Sequence, residues 1–108
     1  MQDDSGSVFK ALADPTRRQI LADLKEGEAS AGAIASRFAI SGPSISRHLA
    51  ILKSAGLLTE RREANRIYYS IVEERLATSV GDFLTAVCPS QMVVRRRRDR
   101  RREAPEIR

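Results

Sequence analysis

The sequence predicts a mainly α-helical domain with one small β-hairpin, about five helices and two strands. Three observations carry this. Residues 29–55, ASAGAIASRFAISGPSISRHLAILKSA, divide into two short apolar-striped segments around a tight turn. Residues 57–71 change to a two-residue alternation around a short polar turn. The flanking stretches keep helical spacing, with Pro and Gly at their ends.

Taken in order, residues 1–6 are expected to form a flexible N-terminus. A first helix over 7–13 directs Val8, Phe9 and Leu12 toward a core. Asp14 and Pro15 start the second helix: the carboxylate caps it, and proline suits the first helical position. Ile20, Leu21 and Leu24 form its buried stripe, leaving Arg17, Arg18, Asp23 and Lys25 solvated, and Gly27 ends it with a left-handed C-cap. Ser30 caps a third helix striped by Ile34 and Phe38, with a turn at Ala39 and Ile40. Ser41 caps the fourth helix and Pro43 falls in its first turn, where backbone N–H groups lack intrahelical partners. Ile45, Leu49 and Leu52, at i, i+4 and i+7, bury one face of it, and Gly56 closes it.

Strands over 57–62 and 66–71 flank a turn of Glu63, Ala64 and Asn65. Ile67, Tyr69 and Ile71 are expected inward, Arg66, Tyr68 and Ser70 outward. Asn65 is the residue expected to take a positive φ there. A last helix over 73–88 begins with two acids that suit its N-terminal dipole. It carries a Leu76, Val80, Phe83, Leu84 and Val87 stripe and stops at Pro89.

The domain is thus expected to span 7–88, with an arginine-rich flexible tail over 89–108. So small a domain buries a modest share of its surface and gains from a partner. The terminal-helix residues Val8, Leu12, Leu76, Val80, Phe83, Leu84 and Val87 are the candidates for a homodimer contact. The net charge of +5 belongs to the tail: residues 1–88 hold 11 basic and 11 acidic side chains, whereas residues 89–108 hold 8 arginines against 3 acids. No apolar run approaches eighteen residues, so no membrane helix is expected. The opening MQDDSGS lacks the apolar core of a signal peptide. A single cysteine, Cys88, forms no intrachain disulfide, and a cytoplasmic protein is expected.

Function enters through the fourth helix. Its free face carries Ser44, Ser46, Arg47, His48 and Ile51, and no carboxylate occurs from Ser41 to Ala55. Hydroxyls, an imidazole and an arginine on a helix that follows a capped turn suit a DNA major groove. Ser41, Ser44, Ser46, Arg47 and His48 are therefore candidate DNA contacts. The arginine fork suits guanine O6 and N7; the histidine is better placed to touch phosphate or to order its neighbours. No glycine-rich phosphate loop and no paired acid motif is present, so an enzyme is not expected. Cys88 has no activating base nearby in sequence and is read as inert. A winged helix that docks a protein partner instead of DNA is the alternative function.

The runs ALADPTRRQILADL, SGPSISRHLAILKSAGLL and ERREANRIYYSI together resemble the ArsR/SmtB family of winged-helix repressors, closest to the SdpR-like branch. The resemblance implies a homodimer joined by its first and last helices that occupies an operator with residues 43–55 in the major groove. It also places the hairpin over 57–71 against the DNA backbone or minor groove, which makes Arg61, Arg62, Asn65 and Arg66 candidates. Many family members release DNA on binding metal, through cysteines at the third helix or Asp and His pairs on the last. Here residues 29–33 carry no thiol, and residues 73–88 carry no histidine and only Asp82 as an interior acid. No metal site and no cofactor is expected. The inducing signal, an effector or a partner protein, is not encoded in any motif.

Overall fold

The computed structural model describes residues 5–92; the start of the expected flexible N-terminus and the arginine run lie outside them. Helix α1 (Ser5–Leu12) begins two residues earlier than expected. Val8 and Ala11 are its buried residues, and Leu12 packs partly on the core. These positions share i, i+3, i+4 spacing, whereas Phe9 lies about 100° further round the helix. Phe9 is accordingly exposed, which corrects its assignment to the core.

Helix α2 (Pro15–Leu24) is capped as expected: the Asp14 carboxylate accepts from the Thr16 N–H at 2.7 Å and the Arg17 N–H at 3.2 Å. Burial would raise the Asp14 pKa, but the hydrogen bonds from these two N–H groups and the nearby Arg17 guanidinium hold it below its ordinary value. Ile20, Leu21 and Leu24 are buried. The C-cap of α2 is Lys25, in right-handed helical conformation, and not Gly27 as expected; Gly27 stands two residues further on with a φ of 141°.

Strand β1 (Ala29–Ser30) is absent from the sequence expectation. It pairs antiparallel with β3 (Arg66–Ile71), which pairs with β2 (Leu58–Glu63), giving the order β1-β3-β2. The wing is therefore one side of a three-stranded sheet, not a two-stranded ribbon. Two residues are too few to show any alternation. Ser30 ends this strand and also caps α3 (Ala31–Ala35), accepting the Ala33 N–H at 3.1 Å. Since α3 closes at Ala35, Phe38 falls in the following turn, yet it still packs against the core.

Helix α4 (Gly42–Ser54) buries Ile45, Leu49 and Leu52. Ile51, expected on the free face, also packs partly on the core. At the end of α4 the Gly56 N–H donates to the Lys53 carbonyl at 2.9 Å and the Leu57 N–H to the Leu52 carbonyl at 3.0 Å. This double closure needs a left-handed residue, and Gly56 supplies it with a φ of 81°. The core is made by these residues with Ile34, Ala55, Leu57 and Leu58.

The hairpin turn is tighter than expected. Glu63 pairs with Arg66, so only Ala64 and Asn65 connect the strands. The positive φ falls on Ala64, at 55°, and not on Asn65. Helix α5 (Glu73–Val87) follows, with Glu73 and Glu74 in its first turn. The break comes at Cys88, whose φ and ψ of −131° and 57° leave the helical region because a proline follows. Helical backbone then resumes over residues 89–92, so Pro89 opens a new turn and does not end the chain's helical course.

Candidate nucleic-acid interface

The exposed side of α4 is organised from its cap. Ser41 has extended φ and ψ, and its Oγ accepts the Ser44 N–H at 3.2 Å. The same hydroxyl donates to Ser44 Oγ at 3.0 Å. Ser46 and Arg47 stand exposed, while Ser44 and His48 are half-buried. Arg47 makes no ion pair among the described residues. No acid shares its helix face, so its charge is uncompensated there.

His48 is held from behind by Arg17. The guanidinium Nη1 lies 3.2 Å from His48 Nδ1, and because arginine only donates, Nδ1 must accept and the proton sits on Nε2. The other guanidinium nitrogens of Arg17 bind α1: Nε donates to the Ala11 carbonyl at 2.7 Å and Nη2 to the Lys10 carbonyl at 3.2 Å. Arg18 likewise donates to the Leu12 carbonyl at 2.7 Å. These two arginines were expected to be merely solvated. Instead they satisfy the open carbonyls at the end of α1, and Arg17 links α1, α2 and α4.

On the wing, Arg62, Asn65 and Arg66 are exposed, and neither arginine forms an ion pair among the described residues. Arg61 differs. Its guanidinium contacts Glu28 and Glu63 and covers the Tyr68 ring. Lys53 at the end of α4 donates to Glu60 on β2 at 2.8 Å, joining α4 to the root of the wing. That bond keeps the Glu60 carboxyl below its ordinary range.

Two terminal helices leave an open apolar face. Phe9, Phe83 and Val87 are exposed, and the Phe9 and Phe83 rings meet edge-on with centroids 5.5 Å apart. Leu76, Val80 and Leu84 are half-buried, and the single buried residue of α5 is Ser79. Val8, a candidate for this face, is fully buried in its own chain and is removed from it; Phe9 takes its place. Arg75 Nε donates to the Ala55 carbonyl at 3.2 Å, so the base of this face touches the end of α4. The metal donors of the family pattern do not fit here: among the described residues no group of three or more His, Cys, Asp or Glu is placed to hold an ion. No described helix is long and apolar enough to cross a membrane.

A capped helix offering an uncompensated arginine beside a short antiparallel wing defines a winged helix-turn-helix protein. Comparison with known proteins narrows the class. A helix-turn-helix domain family model matches residues 12–61. Transcriptional repressor SdpR of Bacillus subtilis is 48% identical over 81 residues, covering 75% of this chain and 90% of that protein. The crystal structure of an ArsR family transcriptional regulator superposes with a TM-score of 0.72 at 30% identity, covering 77% of this chain and 84% of that one. The solution structure of a homodimeric winged helix-turn-helix DNA-binding domain from Mycobacterium bovis gives 0.65 at 38% identity, covering 78% and 79%. The chain belongs to the ArsR/SmtB family of winged helix-turn-helix transcriptional repressors.

Proposed function

We propose that this chain acts as a cytoplasmic, homodimeric repressor that reads a pseudo-palindromic operator, with no catalytic role. Residues 43–55 lie in the major groove in this reading, and the wing of residues 57–71 lies on the backbone or minor groove. The observation that carries it is the acid-free outer face of α4, where Ser46 and Arg47 stand exposed. Arg47 has the planar, bidentate fork that guanine O6 and N7 accept. Ser41 and Ser44, already hydrogen-bonded at the cap, set the start of the helix against phosphate. His48, tied to Arg17 through Nδ1, keeps an Nε2–H donor for the backbone. Arg62 and Arg66, with Asn65 at the turn, supply the wing's contacts. The SdpR relative and the homodimeric DNA-binding neighbour both support this reading.

The test is a titration of the protein with its own upstream DNA and with a random duplex. Wild type should prefer the upstream sequence. Arg47→Ala should cost about 1–3 kcal/mol on that sequence and leave random-DNA affinity nearly unchanged, as expected of a base contact. Equal affinity of wild type for both duplexes would refute the assignment.

A further inference from the structure

Arg61 sits one residue from Arg62 on the same exposed strand, yet its surroundings are of another kind. In the sheet register it lies opposite Tyr68, and Tyr68 in turn lies opposite Ser30 of β1. The guanidinium carbon is 4.7 Å from the Tyr68 ring centroid, within cation–π distance. From that position Nη2 donates to Glu28 Oε1 at 2.5 Å, Nε approaches Glu28 Oε2 at 3.3 Å, and Nη1 donates to Glu63 Oε1 at 2.7 Å. Ser70 Oγ lies 3.5 Å from the second Glu28 oxygen.

Two consequences follow. First, three of the guanidinium's donor atoms are spent on two carboxylates, so the local charge is negative and a phosphate approaching Arg61 meets Glu28 and Glu63. Second, Glu28 belongs to the connection that enters β1, while Arg61 belongs to β2. The bridge therefore spans the central strand β3 and ties both edges of the sheet together. The backbone gives β1 only two paired residues, Ala29 with Tyr69 and Ser30 with Tyr68. A side-on arginine–carboxylate pair stacked on an aromatic ring adds directional restraint where the ladder is shortest. Glu28 is held ionised by it: the Arg61 hydrogen bond pulls its pKa below the ordinary value despite some desolvation.

We propose that Arg61 is a positioning residue, fixing with Glu28 and Tyr68 the angle of the wing on the helix-turn-helix body, and that the wing touches DNA through Arg62 and Arg66. This rests on the operator-binding reading above, and it reassigns one residue of the wing from DNA contact to support.

The experiment compares the full-length wild type with Glu28→Gln, Arg61→Gln, Arg62→Gln and the exchanged pair Glu28→Arg/Arg61→Glu. Affinity for the upstream duplex is measured at several salt concentrations, and amide hydrogen exchange is followed on the free proteins. Glu28→Gln and Arg61→Gln should each weaken binding by roughly two- to five-fold, the range of an exposed pair. The slope of log affinity against log salt should stay as in wild type for both. The exchanged pair should recover most of the loss, and amides of β1 and β3 should exchange faster in each single variant. Arg62→Gln should instead lower the salt slope by about 0.9, the value of one phosphate contact.

Tighter binding by Glu28→Gln, with a lowered slope in Arg61→Gln and no recovery in the exchanged pair, would make Arg61 a phosphate contact and overturn the proposal. Unchanged exchange at β1 and β3 in both single variants would overturn it as well. If wild type shows no preference for its upstream DNA, the operator reading fails, and the exchange measurement alone still decides whether the clamp exists.

Discussion

The open face on α1 and α5 makes a quantitative prediction through Phe83. A phenylalanine buries about 150–250 Å² when fully enclosed, and in the single chain Phe83 remains 52% exposed. Docking a second copy on this face would therefore cover roughly 80–130 Å² more of it, worth about 2–3 kcal/mol at about 25 cal/mol per Å². Two-fold symmetry presents the contact twice. Phe83→Ala should then weaken the dimer by about 4–6 kcal/mol, roughly a thousand- to twenty-thousand-fold in dissociation constant. Sedimentation at micromolar concentration should show wild type as a dimer and Phe83→Ala as a monomer. Phe83→Leu, which keeps apolar volume against Phe9, should stay mostly dimeric. Operator binding by Phe83→Ala should fall with its dimer population and recover at high protein concentration. A wild-type monomer at micromolar concentration, or a Phe83→Ala dimer as tight as wild type, would refute the reasoning.

Three other outcomes follow from separate parts of the molecule. Ala64 occupies a left-handed φ of 55°, so Ala64→Gly should stabilise the fold by about 0.5–1 kcal/mol in urea denaturation, net of the glycine's greater freedom when unfolded; a lower midpoint would contradict this. Asp14, Glu28 and Glu60 all have folded pKa values depressed below their ordinary 3.8, 4.5 and 4.5. Their contribution is therefore complete above those ordinary values and is lost as pH falls through the folded ones. Thermal midpoints should hold from neutrality to about pH 5 and drop below it, and Asp14→Asn should make that drop shallower; an unchanged acid profile would show that the cap does not titrate with folding. Deleting residues 95–108 removes all eight tail arginines, so salt dependence should become shallower on operator and random DNA alike, with their ratio largely kept. Loss of the ratio would move sequence reading to the tail.

What was legible in the sequence was whatever is decided within one or two turns of chain. The caps Asp14, Ser30 and Ser41 each bond an N–H two or three residues ahead. The α4 stripe of Ile45, Leu49 and Leu52 is set by helical spacing, and Gly56 by the closure it must make. The misses have a common origin at longer range or in competition. Strand β1 exists because Ala29 and Ser30 find Tyr69 and Tyr68 some forty residues on. Phe9 and Val8 are neighbours in sequence, and which of them enters the core depends on where α1 sits against α5. Asn65 has the better intrinsic preference for positive φ, but the Glu63–Arg66 pairing makes Ala64 the first loop residue and imposes the conformation there.

Arg47 and Arg61 show the same division in chemical terms. Arg47 and Arg61 are both exposed, and from sequence both qualified as contacts. Local sequence favoured neither over the other as strongly as the fold does: Glu63 stands two residues from Arg61, but Glu28 stands thirty-three away. Folding brings that second carboxylate and the Tyr68 ring to Arg61, whereas nothing anionic on α4 comes to Arg47. A surface cation becomes a reader of DNA by remaining uncompensated after the chain has folded. Arg47 meets that condition, and Arg61, held by two acids, does not, which is why reading is proposed for the first and support of the wing for the second.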